Sequence, residues 1–408
     1  MGEIKAIQEP RDIGHVEAEV TAARLQMMLP PELARLIDVS FVRSHLLYEE
    51  FVGRLILRVI REVGLEGTLQ TGGTAREMAQ QGGLEIERAL VPLDWMLRHL
   101  TARKILDEVP GEDLPRFRAR GPLPVEDSAP VREEQSRHDA SWMPSYLLAE
   151  TVAQAYPAFL RGEVPGEEVL FSPRRLRLWI DYFSNANRLY AVNNHVGALA
   201  IEQWLPQDGG VLLELGGGLG SGALAVLARL EMAGRLDAIR EYRFTEFVPA
   251  FLRRGQQALR AHYPERSSLI FGALDMNRPF VDQGIAPESV RVVYAVNTLH
   301  VAHDLDFTLG EVRRVLEPGG RFIVSECVRP YPRHAIYAEF IFNLLETFRS
   351  PRLHPLYRPS GGFLTPEQWQ KAIGSAGFVD TQMSPDIMRI QRAVPDFYTA
   401  AIGATRPR

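Results

Sequence analysis

Apolar residues in the first quarter of the chain recur at helical spacing. Leu46, Leu47, Phe51, Leu55, Val59 and Ile60 predict a helix over 43–63, stopped by Gly64. Thr74 and Glu77 stand at capping-box spacing and start a short helix. After Gly82 and Gly83, a second stripe of Ala89, Leu90, Leu93, Met96, Leu97 and Leu100 runs into the strand-like Lys104-Ile105-Leu106. Helix, short helix, turn, longer helix and β segment is the order of a winged helix-turn-helix. The first ~25 residues lack a clear period and are expected to form a loosely docked arm. Prolines 110, 115, 122, 124 and 130 predict a linker or extended loop over 109–130. Helical spacing resumes over 141–160 and 173–205.

From Gly210 the period changes. Short apolar runs at 211–214, 242–244, 269–271, 290–296 and 322–325 alternate with helical stretches, the pattern of a parallel sheet covered on both faces. The turn Pro318-Gly319-Gly320 precedes the fifth run. A helix is expected over 334–348, and another from the Thr365 cap to Gly377. Late runs at 378–383 and 387–390 are expected to pair as an edge hairpin. The fold class is therefore α/β, a Rossmann-like sheet preceded by a helical, winged-helix-like unit. The expected organisation is 1–108 as an N-terminal dimerisation domain, 109–172 as linker and helical segment, and 173–408 as the catalytic domain.

Composition narrows the function classes. The 408 residues are 46% hydrophobic and 24% charged, which excludes wholesale disorder. No uncharged run reaches the ~18 residues of a membrane span. The opening stretch has no apolar block, so no signal peptide is expected and the protein is placed in the cytoplasm. Cys327 is the single cysteine, so there is no intrachain disulfide or Cys-based zinc site, and no metal is expected. The net charge of −5, with 13 basic against 17 acidic residues over 1–110, argues against nucleic acid and against a winged-helix DNA-binding regulator. An amphipathic unit without a basic face is better explained by packing or by a homodimer.

Chemistry concentrates behind the first strand of the sheet, in Glu214-Leu215-Gly216-Gly217-Gly218-Leu219-Gly220. Glycines there let a cofactor lie against backbone at a helix N-terminus. A dinucleotide fingerprint at 220–225 starts too late, inside the helix, and leaves Glu214 unexplained. An acid before the glycines suits a cofactor carrying an ammonium and a sulfonium. Glu246, Asp275 and Asn297 each follow the end of a successive strand, bordering the crevice where such sheets bind ligands. Glu246 is placed to accept ribose hydroxyls and Asp275 an adenine amino group.

With these residues in view, 210–330 resembles class I S-adenosylmethionine (SAM) methyltransferases, whose acid-x-Gly-x-Gly-x-Gly element matches 214–220. Phe244–Phe251, Asn297–His300 and Ser325-Glu326 resemble polyketide-type methyltransferase domains. The N-terminal pattern is similar to the winged-helix dimerisation module of small-molecule O-methyltransferases. The resemblance implies SAM as cofactor, held by Glu214, Gly216, Gly218, Gly220, Glu246, Asp275 and Asn297. It also implies His300 as general base with Glu326 orienting it. Both follow neighbouring strands, so their side chains are expected to meet above the crevice. His303 is the alternative base.

The acceptor is expected to be a small natural-product or polyketide-type molecule, free or carrier-protein-bound, methylated on oxygen or on an acidic carbon. Tyr190, Asn194, Tyr337, Phe340 and Asn343 are its candidate contacts. A SAM-fold protein that has lost transfer is the remaining alternative.

Overall fold

The computed structural model describes residues 14–111, 114–125 and 127–408. In the N-terminal part, Asp38 caps the long helix Val39–Glu62 by accepting from Phe41 N at 2.8 Å. Thr74 and Glu77 form the expected reciprocal capping box ahead of Ala75–Gln81. The helix Ile86–Ala102 then leads into an antiparallel ribbon of β1 (Leu106–Val109) and β2 (Arg116–Ala119). β2 lies inside the stretch expected to be a linker. Its Phe117 is fully buried in the helical core, which outweighs the flanking prolines.

The sheet contains β3 (Gly210–Leu215), β4 (Ile239–Thr245), β5 (Leu269–Gly272), β6 (Val290–Val296), β7 (Leu316–Cys327), β8 (Val379–Ser384) and β9 (Thr399–Thr405). Its order is β5-β4-β3-β6-β7-β9-β8. The first five run parallel, and β9 is antiparallel to both β7 and β8. The Pro318-Gly319-Gly320 turn lies within β7 rather than before it, as a bulge between Leu316 and Arg321 in the ladder with β6. Among the described residues, no helix is long and apolar enough to cross a membrane.

Three sequence expectations are corrected. Residues His15–Gln26 are helical, not a loose arm, with Ala18, Ala22 and Leu25 buried against the sheet-side core. Two alanines and a leucine give too little apolar contrast to show as a period. Residues 1–13 of that expected arm lie outside the described residues.

The segment 387–390 is not a strand. Asp386 caps a helix, Ile387–Ala393, and the partner of β8 is β9. The stretch 334–348 is not one helix but two short ones, Glu339–Phe342 and Glu346–Arg349. Tertiary bonds decide this: the Glu339 carboxylate accepts from Trp95 Nε1 at 2.9 Å and from Ile336 N at 3.0 Å, and it pairs with Arg329.

Two apolar cores hold the chain, and they do not follow chain order. One lies around the sheet and includes the His15–Gln26 helix. The other joins the N-terminal helices to Ile336, Phe340, Phe348 and Phe363 from the C-terminal half. Much of the apolar face of the N-terminal helices is thus covered within one chain.

Candidate active site

The parallel strands end side by side, which gathers residues distant in sequence. Glu214 closes β3 and is 1% exposed. Its Oε2 accepts from Tyr242 OH at 3.1 Å. Burial, the largest cause, pushes the carboxyl up to about 8, with the Tyr242 hydrogen bond acting against it and Glu246 acting with it. The loop beyond it has positive φ at Gly216, Gly218 and Gly220. A β-carbon on Gly216 would strike Thr298 at 2.3 Å, whereas one on Gly218 would meet nothing within 4 Å. Gly216 is therefore needed for packing, and Gly218 borders open space.

Glu246 follows β4, and its carboxylate accepts from Gly218 N at 2.9 Å and Val248 N at 2.7 Å. It fixes the glycine loop and keeps its remaining lone pairs for a ligand. Burial raises its pKa, against these two bonds. Asp275 lies beyond β5, half-buried, with Oδ1 turned back onto Asn277 N at 2.9 Å and its own N–H donated to Gln283. It braces its loop at the crevice rim. Asn297 follows β6 with φ 45°, a left-handed conformation that asparagine tolerates. Its Oδ1 accepts from Cys327 N at 2.9 Å, which ties the ends of β6 and β7 together.

These residues fit SAM. A buried acid without a cation suits its ammonium, and bare backbone at Gly218 leaves it a path. Glu214, Gly218 and Glu246 would hold it. Asn194, expected on the acceptor side, lies here instead. Its Nδ2 donates to Asn185 Oδ1 at 2.7 Å, and Asn185 in turn donates to Ser221 O at the head of the helix Ser221–Met232.

His300 sits in the short turn Leu299–Val301 after β6, and Glu326 is near the end of β7. Both are buried, at 4% and 0% exposure. His300 Nδ1 lies 2.7 Å from Glu326 Oε2. The other carboxylate oxygen accepts from Leu299 N at 2.9 Å and Thr298 N at 3.2 Å. A carboxylate pinned at both oxygens cannot turn away, so it holds the imidazole with Nε2 as the remaining nitrogen. Arg358 fixes the turn from behind, donating to the carbonyls of His300 and Ala302 at 2.5 and 2.6 Å. His303 is exposed and outside this arrangement.

His300 lines a cavity of about 210 Å³ whose walls are mostly aromatic. Asn297 and Cys327 border it from the strand ends, Tyr190 and Asn193 from the helix Arg188–Trp204, and Phe41, His45 and Tyr48 from Val39–Glu62. Tyr337 lines it as expected, but Phe340 and Asn343 do not. Phe340 packs on Trp95 and Tyr156, and Asn343 faces a separate groove beside Arg329. The broken 334–348 segment turns them away. Burial, the largest cause, pushes the Cys327 thiol up to about 12, and Asn193 Nδ2 donates to its sulfur at 3.4 Å. Sequence reasoning missed Asn193, Phe183, Phe251 and the N-terminal wall. His45 and Tyr48 stand on a helix that also carries Arg43, Glu50, Arg54 and Arg58, so neither is marked out in the sequence.

Residues 213–324 match the family described as a methyltransferase domain. The reducing polyketide synthase Preu2 of Preussia isomera is 28% identical over 233 residues, 57% of this chain and 9% of that protein. Polyketide synthase PksM of Bacillus subtilis (strain 168) is 24% identical over 255 residues, 61% of this chain and 6% of its own length. The chain thus spans under a tenth of these curated relatives. Among solved structures, the CurJ carbon methyltransferase superposes with a TM-score of 0.74 at 20% identity, covering 97% of this chain and 99% of that one. The citrinin polyketide synthase CMeT domain gives 0.67 at 16%, with 96% and 98% covered. The matched segment contains the end of β3, the glycine loop, Glu246 and His300, and the whole-chain superposition extends the shared fold to the N-terminal helices. Residues 213–324 are thus a methyltransferase domain, and the chain shares the fold of class I methyltransferases, which use S-adenosylmethionine.

Proposed function

We propose that this protein methylates the acidic carbon of a 3-oxoacyl-type small molecule, with His300 as general base and Glu326 as the residue that positions it. One observation carries the reading: His300, held by Glu326, stands in the wall of an aromatic cavity bordered by the ends of β6 and β7. Carbon rather than oxygen is supported by the chain-long likeness to CurJ, described as a carbon methyltransferase.

The cofactor supplies an electrophilic methyl group on a sulfonium. Catalysis then requires that the acceptor be held in line and its proton removed. With Nδ1–H donated to Glu326, His300 Nε2 takes the proton from the carbon between the two carbonyls. That removal would leave a carbanion as the nucleophile for the methyl group supplied by a cofactor that Glu214, Gly218 and Glu246 would hold. Glu326 stabilises the imidazolium, which later returns its proton to solvent. The aromatic walls exclude water that would otherwise reprotonate the carbon. The apolar lining suits an acyl chain.

Incubation with methyl-labelled SAM and the N-acetylcysteamine thioester of 3-oxooctanoate tests this. Label at carbon 2, located by NMR, is the expected result. Label on an enol oxygen, or SAM binding without methyl transfer, contradicts it.

A further inference from the structure

The acceptor cavity has polar atoms that the methyl-transfer chemistry leaves unused. His45 lies on Val39–Glu62 and reaches the lining between Tyr337 and Tyr398, with ring centroids 5.2 and 5.7 Å away. Its Nε2 is shielded from solvent and has no hydrogen-bond partner. The neighbouring Tyr398 is already engaged: its OH donates to Asp396 Oδ1 at 2.9 Å and lies 3.0 Å from His334 Nε2. An interior ring nitrogen left over beside a satisfied cluster calls for a partner, and the cavity it lines supplies the place for one.

We infer that His45 is a specificity subsite, which hydrogen-bonds a hydroxyl or carbonyl oxygen that the acceptor carries away from its reacting carbon. The inference rests on the cavity being the acceptor site, as proposed above.

The chemistry of the wall selects this class of group. Burial lowers the His45 pKa, with Asp396 acting against it, so the ring is neutral and offers one donor and one acceptor nitrogen. A carboxylate on the acceptor would meet Asp396. An ammonium would have to shed its water among aromatic rings, where the one acid lining the cavity is engaged with Tyr398 and Glu49 is held largely protonated, its carboxyl pushed up to about 8 chiefly by burial. A neutral oxygen faces neither obstacle. If His45 served packing alone, a phenylalanine would fill the same space against Tyr337 and Tyr398 and change nothing.

Calorimetry on the full chain saturated with demethylated cofactor tests the subsite without requiring turnover. The probes are N-acetylcysteamine thioesters of 3-oxoacyl chains, plain or with one hydroxyl at successive positions beyond carbon 3. The wild type should bind one hydroxylated isomer about tenfold or more tighter than the plain chain, the scale of a buried hydrogen bond made or unmade. His45→Phe should abolish that preference, and His45→Gln should restore part of it. On the preferred hydroxylated isomer, His45→Phe should raise KM by more than it lowers kcat. No preference at any position, or a preference that survives in His45→Phe, overturns the subsite. Preference in binding with no methyl transferred to any probe would retire the carbon-methylation reading and leave the subsite standing.

Discussion

At the scale of single residues, the site is organised around acids kept out of water. Glu214 is held up at about 8, chiefly by burial. In the unfolded chain it ionises near its ordinary 4.5, so between those values the folded state binds more protons. Its contribution to stability is full below pH 4.5 and is lost as pH rises through 8. A cofactor ammonium reverses the preference, since it favours the carboxylate. SAM affinity should therefore rise from pH 6 to 8 and flatten above. At pH 7, calorimetry in buffers of different ionisation enthalpy should show more proton release in the wild type than in Glu214→Gln. Equal release in the two would mean that Glu214 does not face the ammonium. Gly218 gives a second check. Its φ of 58° costs a branched side chain about 1–3 kcal/mol of strain, and a valine would project into the open space beside the loop. Gly218→Val should remain folded by circular dichroism and lose SAM binding, and retained affinity would place the cofactor elsewhere.

At the scale of elements, what a strand or helix buries decided how well it showed in the sequence. β3, β4, β5 and β6 are apolar runs between glycine-rich or capped ends, and each lies where its pattern put it. The Thr74 and Thr365 capping boxes were legible because the bonds that make them span only three residues. β9 was not. Ala400, Ala401, Gly403 and Ala404 lack the branched and aromatic residues that mark strands, and they are small because the sheet is crowded there. A β-carbon on Gly403 would lie 2.5 Å from the Trp204 ring. Gly403→Ala should cost about 1–3 kcal/mol of overpacking, read from urea unfolding. No loss of stability would mean that Trp204 can move aside. The meeting of His300 with Glu326 was likewise legible, since parallel neighbours must end side by side. Residues supplied from outside the sheet, such as His45 and Asn193, carry no local signature of a shared cavity.

At the scale of the whole molecule, the N-terminal helices are built into the fold and are not an appendage. They supply one wall of the aromatic cavity that contains His300 and share a core with the segment 335–363. Glu339 ties the halves: it binds Trp95 of the helix Ile86–Ala102, pairs with Arg329, and is itself 1% exposed. Glu339→Gln leaves the Arg329 charge buried without its counter-ion, a change that costs about 3–5 kcal/mol. Urea unfolding should show that loss within one shared transition. Two separate transitions, only one of them shifted, would mean that the halves fold independently. The account as a whole stands on what His300 does once both ligands are in place. Its most direct test is single-turnover methyl transfer at saturating SAM and 3-oxooctanoyl thioester, comparing the wild type with His300→Ala. A general base is worth about 10²–10⁴ in rate, so the variant should slow by that factor with SAM affinity nearly unchanged. An undiminished rate would mean that positioning and the acceptor's own acidity suffice, and that His300 is not the base.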